Sequence, residues 1–328
     1  MDKKQINHII FMGFCIVTAL AGVSLLQIAC SSPEKLPIRI GVNSWPPCEL
    51  WYIADEQGFF GDTKVELVRF SSWRDNMLSF YKGHLDITHA SYFNALYYSD
   101  KGEKGKIILR TETIEGGDGL IIKKSIKDIK TLYNKSIAVE TGTDEHFLLH
   151  KSLELLDIST EDITIVSVPT AEASIKFINN EVEGSFLYEP FMSEAAAKGD
   201  GRIVSTTKEY PGYMIDVLVA GNKSIEKRRK DLQNIIEAWY RAMEYVDKNP
   251  EKAFTRMAQN ENMTMEEFGK FYSYFTFYSI NENREYMKSD TFFSKLNEIN
   301  SFLLSKKFLK DAVDVHTLVD TTIIDAVY

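Results

Sequence analysis

IRIGVNSWPPCELWYIADEQGFF, residues 38–60, is the stretch that decides how this chain folds. Ile38 to Val42 is a short apolar run of the kind that forms a strand inside a sheet. Ser44, Trp45 and two prolines then turn the chain, and Glu49 to Phe60 reads as a helix closed by Gly58 and Gly61. The same rhythm continues downstream. Val65 to Phe70 alternates as a strand and Trp73 to Tyr81 is a helix with Gly83 beyond it. Leu85 to Ala90 is a strand, Tyr92 to Ser99 a helix, and Lys106 to Thr111 a strand. A β-α-β-α-β order predicts a mainly parallel sheet flanked by helices.

The rhythm breaks at Gly116-Gly117-Asp118-Gly119 and then resumes. Strands are predicted at 120–123, 136–140, 163–168 and 184–188, with helices at 143–155 and 171–179. Pro190 opens a further helix, where its fixed φ and missing N–H are tolerated. Asp216 to Ala220 is another apolar strand. Beyond Ser224 the chain turns helical, with Leu232, Ile235, Ile236, Trp239, Met243 and Val246 on one amphipathic face. Extended segments near 108–121 and 216–220 cross between the two blocks. The expected architecture is therefore α/β and two-lobed, with residues 38–115 and 217–328 in a discontinuous first lobe and residues 116–216 in the second. Strand carboxyl ends of both lobes should face one ligand cleft, and the C-terminal region is helical.

Upstream, Lys3 and Lys4 precede an uncharged run from Ile9 to Leu26, followed by Ala29, Cys30 and a polar stretch. This is the pattern of a secretory signal over residues 1–29. It resembles the lipobox of bacterial lipoproteins, which would make Cys30 the lipidated first residue of a tether over 30–37. Gln27 stands where that motif usually has Leu. An uncleaved membrane anchor is the alternative, the run being almost long enough to span a bilayer. Both place the body in the cell envelope, on the extracytoplasmic side of a membrane. The net charge of −9 gives no support to nucleic-acid binding. Of three cysteines only Cys48 remains in the mature chain beyond Cys30, so no internal disulfide is expected. Neither G-x-S-x-G nor a P-loop occurs, and no cofactor or metal is expected.

Five blocks carry a resemblance: residues 38–60 above, GHLDITHASYFNAL (83–96), GGDGLIIKKSIKDIKTLYNKSIAVETGTDEHFLL (116–149), EGSFLYEPF (183–191) and PGYMIDVLVAGNKS (211–224). In that order they resemble the periplasmic binding proteins of type II topology, in the branch with nitrate, sulfonate, taurine and thiamine-pyrimidine binders. Where relatives often have Trp-Pro-Gly-Tyr, this chain has Trp45-Pro46-Pro47-Cys48. The resemblance implies a monomeric solute-binding protein without catalytic residues that hands a small molecule to the permease of an ABC importer. The alternatives are an enzyme of the same fold, as in thiamine-pyrimidine synthases whose cysteine-rich motif is absent here, and a ligand-sensing module for a membrane partner.

The candidate ligand contacts follow the predicted turns. Ser44 and Trp45 follow the first strand, and an indole face can stack on a planar or cationic ligand. Trp51 starts the next helix beside Tyr52. Asp86 begins a strand that Ser91 ends, and Ser91 can cap the helix after it. Thr141, Gly142 and Thr143 make the corresponding turn in the second lobe, where Gly142 lets a ligand approach the backbone. Asp118, Glu189 and Asp216 bring carboxylates to the cleft, with Arg110 and Arg74 the nearest cations in sequence. That balance leans toward a cationic, zwitterionic or heteroaromatic cargo. His146, His150 and Glu154 recur every four residues, a spacing that reads as a solvated helix face rather than a metal seat.

Overall fold

The computed structural model describes Asp2, residues 35–99 and residues 105–327. The signal segment and Cys30 lie outside the described residues. Ile38–Tyr328 forms one compact unit, distinct from Met1–Pro37. Among the described residues, no helix is long and apolar enough to cross a membrane.

The strands are β1 (Ile38–Asn43), β2 (Val65–Phe70), β3 (Ile87–Ser91), β4 (Gly105–Ile114), β5 (Asp118–Lys123), β6 (Ser136–Val139), β7 (Thr164–Ser167), β8 (Gly184–Tyr188), β9 (Gly201–Thr206), β10 (Ile215–Gly221) and β11 (Phe275–Phe277). They form two sheets, ordered β11-β4-β10-β3-β1-β2 and β7-β6-β8-β5-β9. The fold is thus two-lobed and α/β, but the sheets are mixed rather than mainly parallel. β1 runs parallel to β2 and β3, whereas β10 is antiparallel to β3 and β4, and β11 to β4. In the second sheet β6 is parallel to β7 and β8, while β5 is antiparallel to β8 and β9. A strand-helix rhythm reports helical crossovers, which demand parallel strands. It says nothing of β10, which enters the first sheet from the other lobe and so arrives reversed.

The stretch 38–60 behaves as its pattern requires. β1 is buried along nearly its whole length, and Trp45–Cys48 form a tight turn before the helix Glu49–Glu56. That helix lies on the long helix Arg229–Lys248, where the rings of Trp51 and Trp239 sit 4.7 Å apart. The apolar face anticipated on the long helix is the buried one: Leu232, Ile235, Ile236 and Trp239 are fully enclosed. Met243 is only partly buried against the same core.

A polar pin fixes β1 against its neighbours. Asn76, on the helix Trp73–Tyr81, donates to Asn43 Oδ1 at 2.7 Å and accepts from the Thr88 hydroxyl at 2.9 Å, with all three side chains buried. Buried amides tolerate this only when their partners are complete. Room for the pin comes from Gly41, since a Cβ there would stand 2.1 Å from Asn76 Oδ1 and 2.5 Å from Leu85 Cδ1. Gly41→Ala should therefore lower stability by about 1–3 kcal/mol, the usual cost of overpacking, measured as a lower urea midpoint. An unchanged midpoint would contradict the close approach.

Candidate functional site

Between the lobes lies a cavity of about 760 Å³. Its walls are the carboxyl-terminal ends of strands from both sheets. Asn43–Trp45 follow β1, Ser71–Asp75 follow β2, and Ser91 and Asn94 follow β3. From the second lobe come Glu140 and Gly142–Glu145 after β6, Pro169–Ala171 after β7 and Tyr188–Phe191 at β8. Asp118 and Asp216, the opening acids of the two crossing strands, complete the floor. Glu261, Met263 and Phe271 add a wall from the C-terminal helices. The arrangement obeys the rule that open α/β sheets hold ligands beyond their strand carboxyl ends, applied by two facing sheets.

Ladder register explains which side chains arrive there. Asp216 pairs with Ser91 on one side and Glu112 on the other, with a register irregularity just after it. Such an irregularity re-aims a side chain. Asp118 pairs with Tyr188. The lobes touch across the cleft, where Asn94 Nδ2 donates to Asp144 Oδ2 at 3.2 Å. Ser91 caps its helix as anticipated, accepting from Asn94 N at 3.1 Å. The Thr143 hydroxyl instead turns back to Glu140 O at 2.6 Å. Trp45 is held edge-on by Trp73, Tyr188 and Phe271 at 6.2, 6.1 and 5.6 Å, and its indole donates to Glu112 Oε1 at 3.2 Å.

Electrostatically the cavity is one-sided. Among the described residues its lining holds eight carboxyl groups, from Asp75, Asp118, Glu140, Asp144, Glu145, Glu189, Asp216 and Glu261, against one cationic side chain, Arg74. Burial pushes Asp144, Glu145 and Asp216 up to about 7, and neighbouring carboxylates add to the rise. Burial also raises Asp118 well above the usual carboxylate range, with Glu145, Asp144, Asp216 and Glu189 facing it. Crowded acids in a desolvated pocket hold their protons by these two causes together.

Beneath the floor, His89, Glu112 and Asp216 gather within 4.8 Å of one another, all buried. His89 Nε2 stands 3.2 Å from both Glu112 Oε1 and Thr111 Oγ1, while Nδ1 faces the indole N–H of Trp51 at 3.5 Å. An indole only donates, so Nδ1 is the accepting nitrogen and Nε2 carries the proton. The cluster is a buried polar network beneath Asp216, whose Oδ2 stands 3.7 Å from His89 Nε2.

The structure brings Ser44, Trp45, Ser91, Asp118, Gly142, Thr143, Glu189 and Asp216 to the cavity. Trp51 is not there: it is fully buried core, spent on Trp239 and His89. Asp86 sits at the opposite end of β3, accepting from Arg39 N at 2.9 Å and from the Ser224 hydroxyl at 3.1 Å. Thr141 is exposed and shares a hydrogen bond with Ser167. Of the two cations, Arg74 reaches the exposed rim. Arg110 is caged elsewhere, against Tyr278 at 3.4 Å and Tyr286 at 4.1 Å, donating to Asn283. The His146–His150 face is not solvated either. Both rings pack on Phe302, and burial lowers them to about 4 and about 3. Sequence reasoning missed Asn94, Asp144, Glu145, Trp73 and Tyr188. Asp144-Glu145, directly after the Thr-Gly-Thr turn, was the available signal.

Residues 31–259 match the sequence profile of the NMT1-like family. A Bacillus subtilis protein named for binding aliphatic sulfonates is 22% identical over 321 residues, covering 94% of this chain and 93% of the relative. The periplasmic aliphatic sulphonate binding protein SsuA from Escherichia coli superposes with a TM-score of 0.74 at 15% identity, over 88% of this chain and 92% of that one. The desulfurization enzyme DSZB superposes with a TM-score of 0.66 at 14% identity, over 89% of this chain and 98% of that one.

The raised carboxyls set a pH dependence. A carboxyl whose folded pKa exceeds its unfolded value gives stability at low pH that is lost as pH rises through the folded pKa, here near 7. The lowered His146 and His150 act oppositely, contributing fully above about pH 6.5 and failing as pH falls below it. The melting temperature of the ligand-free protein should therefore fall as pH rises from about 5 to about 7.5, the histidines opposing the acids below about 6.5, and level off once the acids are ionised in both states. A melting temperature that rises between about pH 6.5 and 7.5 would contradict the buried acids.

Proposed function

The chain belongs to the NMT1-like family, and from that premise we propose that it is an extracytoplasmic solute-binding protein that captures a small molecule between its lobes and delivers it to an ABC importer. The observation that carries this reading is the cleft. Strand ends of two sheets converge on one cavity, and among the described residues two short crossings, β4 to β5 and β9 to β10, join the sheets. Gly116 and Gly212, at φ +93° and +82°, sit in those crossings, in a backbone region that favours glycine. Such connections allow hinge motion, and the Asn94–Asp144 bond is a contact that closure would make.

In this reading the ligand contacts are Ser44, Trp45, Ser91, Asp118, Gly142, Thr143, Glu189 and Asp216, within lobes of residues 38–115 with 217–328 and residues 116–216. The cargo is an amine, a sulfonate or a heteroaromatic compound. Lipid on Cys30 tethers the mature chain to the membrane beside its permease. Cys30→Ser should then move the protein from the membrane fraction to the soluble one, and unchanged fractionation would remove the tether.

The fold also supports an enzyme, as the desulfurization relative demonstrates for itself. Here the one described cysteine is a poor nucleophile. Cys48 is fully buried, and burial raises its thiol pKa, which lowers the thiolate fraction. Binding without chemistry makes a direct prediction. A cargo found by thermal-shift screening should raise the melting temperature by linkage, shrink the scattering radius and be recovered unchanged at one equivalent. Catalytic turnover of that compound would overturn the reading.

A further inference from the structure

The donors and acceptors of the cleft are unequally spent. Asn43 Nδ2 is committed to Phe70 O, Asn94 Nδ2 to Asp144 and the Trp45 indole to Glu112. The acceptors are left over. Asp118 is 1% exposed, lines the cavity, and its Oδ2 has no hydrogen-bond partner among the described residues. Asp216, 2% exposed, has an Oδ2 that lacks one too and stands 3.7 Å from His89 Nε2. A buried carboxylate oxygen without a donor is costly to the ligand-free protein, and a ligand N–H or positive charge removes the cost.

Among the described residues the lining offers an anion one cationic side chain, Arg74. Arg74 lies on the exposed rim, away from the buried floor. The helix Asp144–Leu155 points its N-terminus at the cavity, a place that ordinarily attracts anions. Its first turn already holds Asp144 and Glu145, and Asp144 Oδ2 accepts from Asn94 Nδ2 across the cleft. Two acids thus already occupy the turn an anion would need.

We propose that the cleft takes a small organic cation, a protonated amine or amidine on a flat apolar body, with its charged nitrogen between Asp118 and Asp216 and its body against Trp45 and Trp73. This rests on the solute-binding reading and narrows its cargo. Aromatic faces beside the acids favour a cation twice, through the ring quadrupole and through apolar contact. The volume of about 760 Å³ suits one small organic solute. Because the floor acids hold protons near neutrality, the cation displaces them on binding, so its affinity rises with pH while that of an anion falls.

The test uses the chain from residue 31 onward and matched probes of one body and opposite charge: benzylammonium and benzamidinium against benzenesulfonate and benzoate. Calorimetry at about pH 6 and about pH 8 reads affinity and, in two buffers, proton release. The cations should bind, more tightly by roughly tenfold at the higher pH, and release protons. Asp118→Asn should weaken them by roughly tenfold or more while the ligand-free melting temperature holds or rises, a split that a purely structural residue would not give. Binding of the sulfonate or carboxylate alone, tighter at low pH and indifferent to Asp118→Asn, overturns the cation and leaves the solute-binding reading intact. Binding of neither charge by a protein with its full thermal transition overturns both.

Discussion

The antiparallel pairing of β10 with β4 is the constraint on which the rest of the structure depends. β4 carries the chain toward the second lobe and β10 brings it back, so one ladder ties both crossings into the first sheet. Its register sets Asp216 between Ser91 and Glu112. The outgoing crossing starts β5 with Asp118, whose ladder neighbour is Tyr188. Two sheets joined in this way must present their strand ends to a common cleft, and the two crossing strands must begin in its floor.

That placement has an energetic consequence. Carboxyl groups at strand beginnings in a covered sheet are desolvated and lie close to one another, and both effects disfavour charge. The His89–Glu112–Thr111 network lies beneath Asp216, with His89 Nε2 3.7 Å from its Oδ2. No comparable group completes Asp118, whose Oδ2 lacks a partner among the described residues. Stability is given up at the point where a ligand would be held, a common arrangement in binding sites.

Much of this was legible in the sequence because buried strands announce themselves. IRIGVN, ITHAS and IDVLVAG are short apolar runs between turn residues, and each became a strand. Strand direction was not legible, since a returning strand has the same composition as a parallel one. β9 was missed because GRIVST is only half buried and follows a Gly-Asp-Gly turn, so it carries little apolar signal. β11 was missed because three residues are too few for any period. Position relative to strand ends brought Ser44, Ser91 and Asp118 to the cavity wall. It failed for Asp86, at the wrong end of β3, and for Trp51, which the helix turns into the core instead of the cleft. His146 and His150 show the same limit. Their spacing was read correctly, but the partner helix bearing Phe302 could not be anticipated from it.

The central claim is that Asp118 is a buried, unsatisfied acid kept for a positively charged ligand. Carbon-13 titration of the labelled Asp118 carboxyl, assigned by its loss in Asp118→Asn, tests this most directly. The account predicts that in the ligand-free protein Asp118 ionises far above the ordinary carboxylate value of about 4 and that benzamidinium drives it to the ionised form. Ionisation near about 4 in the ligand-free protein, unmoved by the cation, would contradict it.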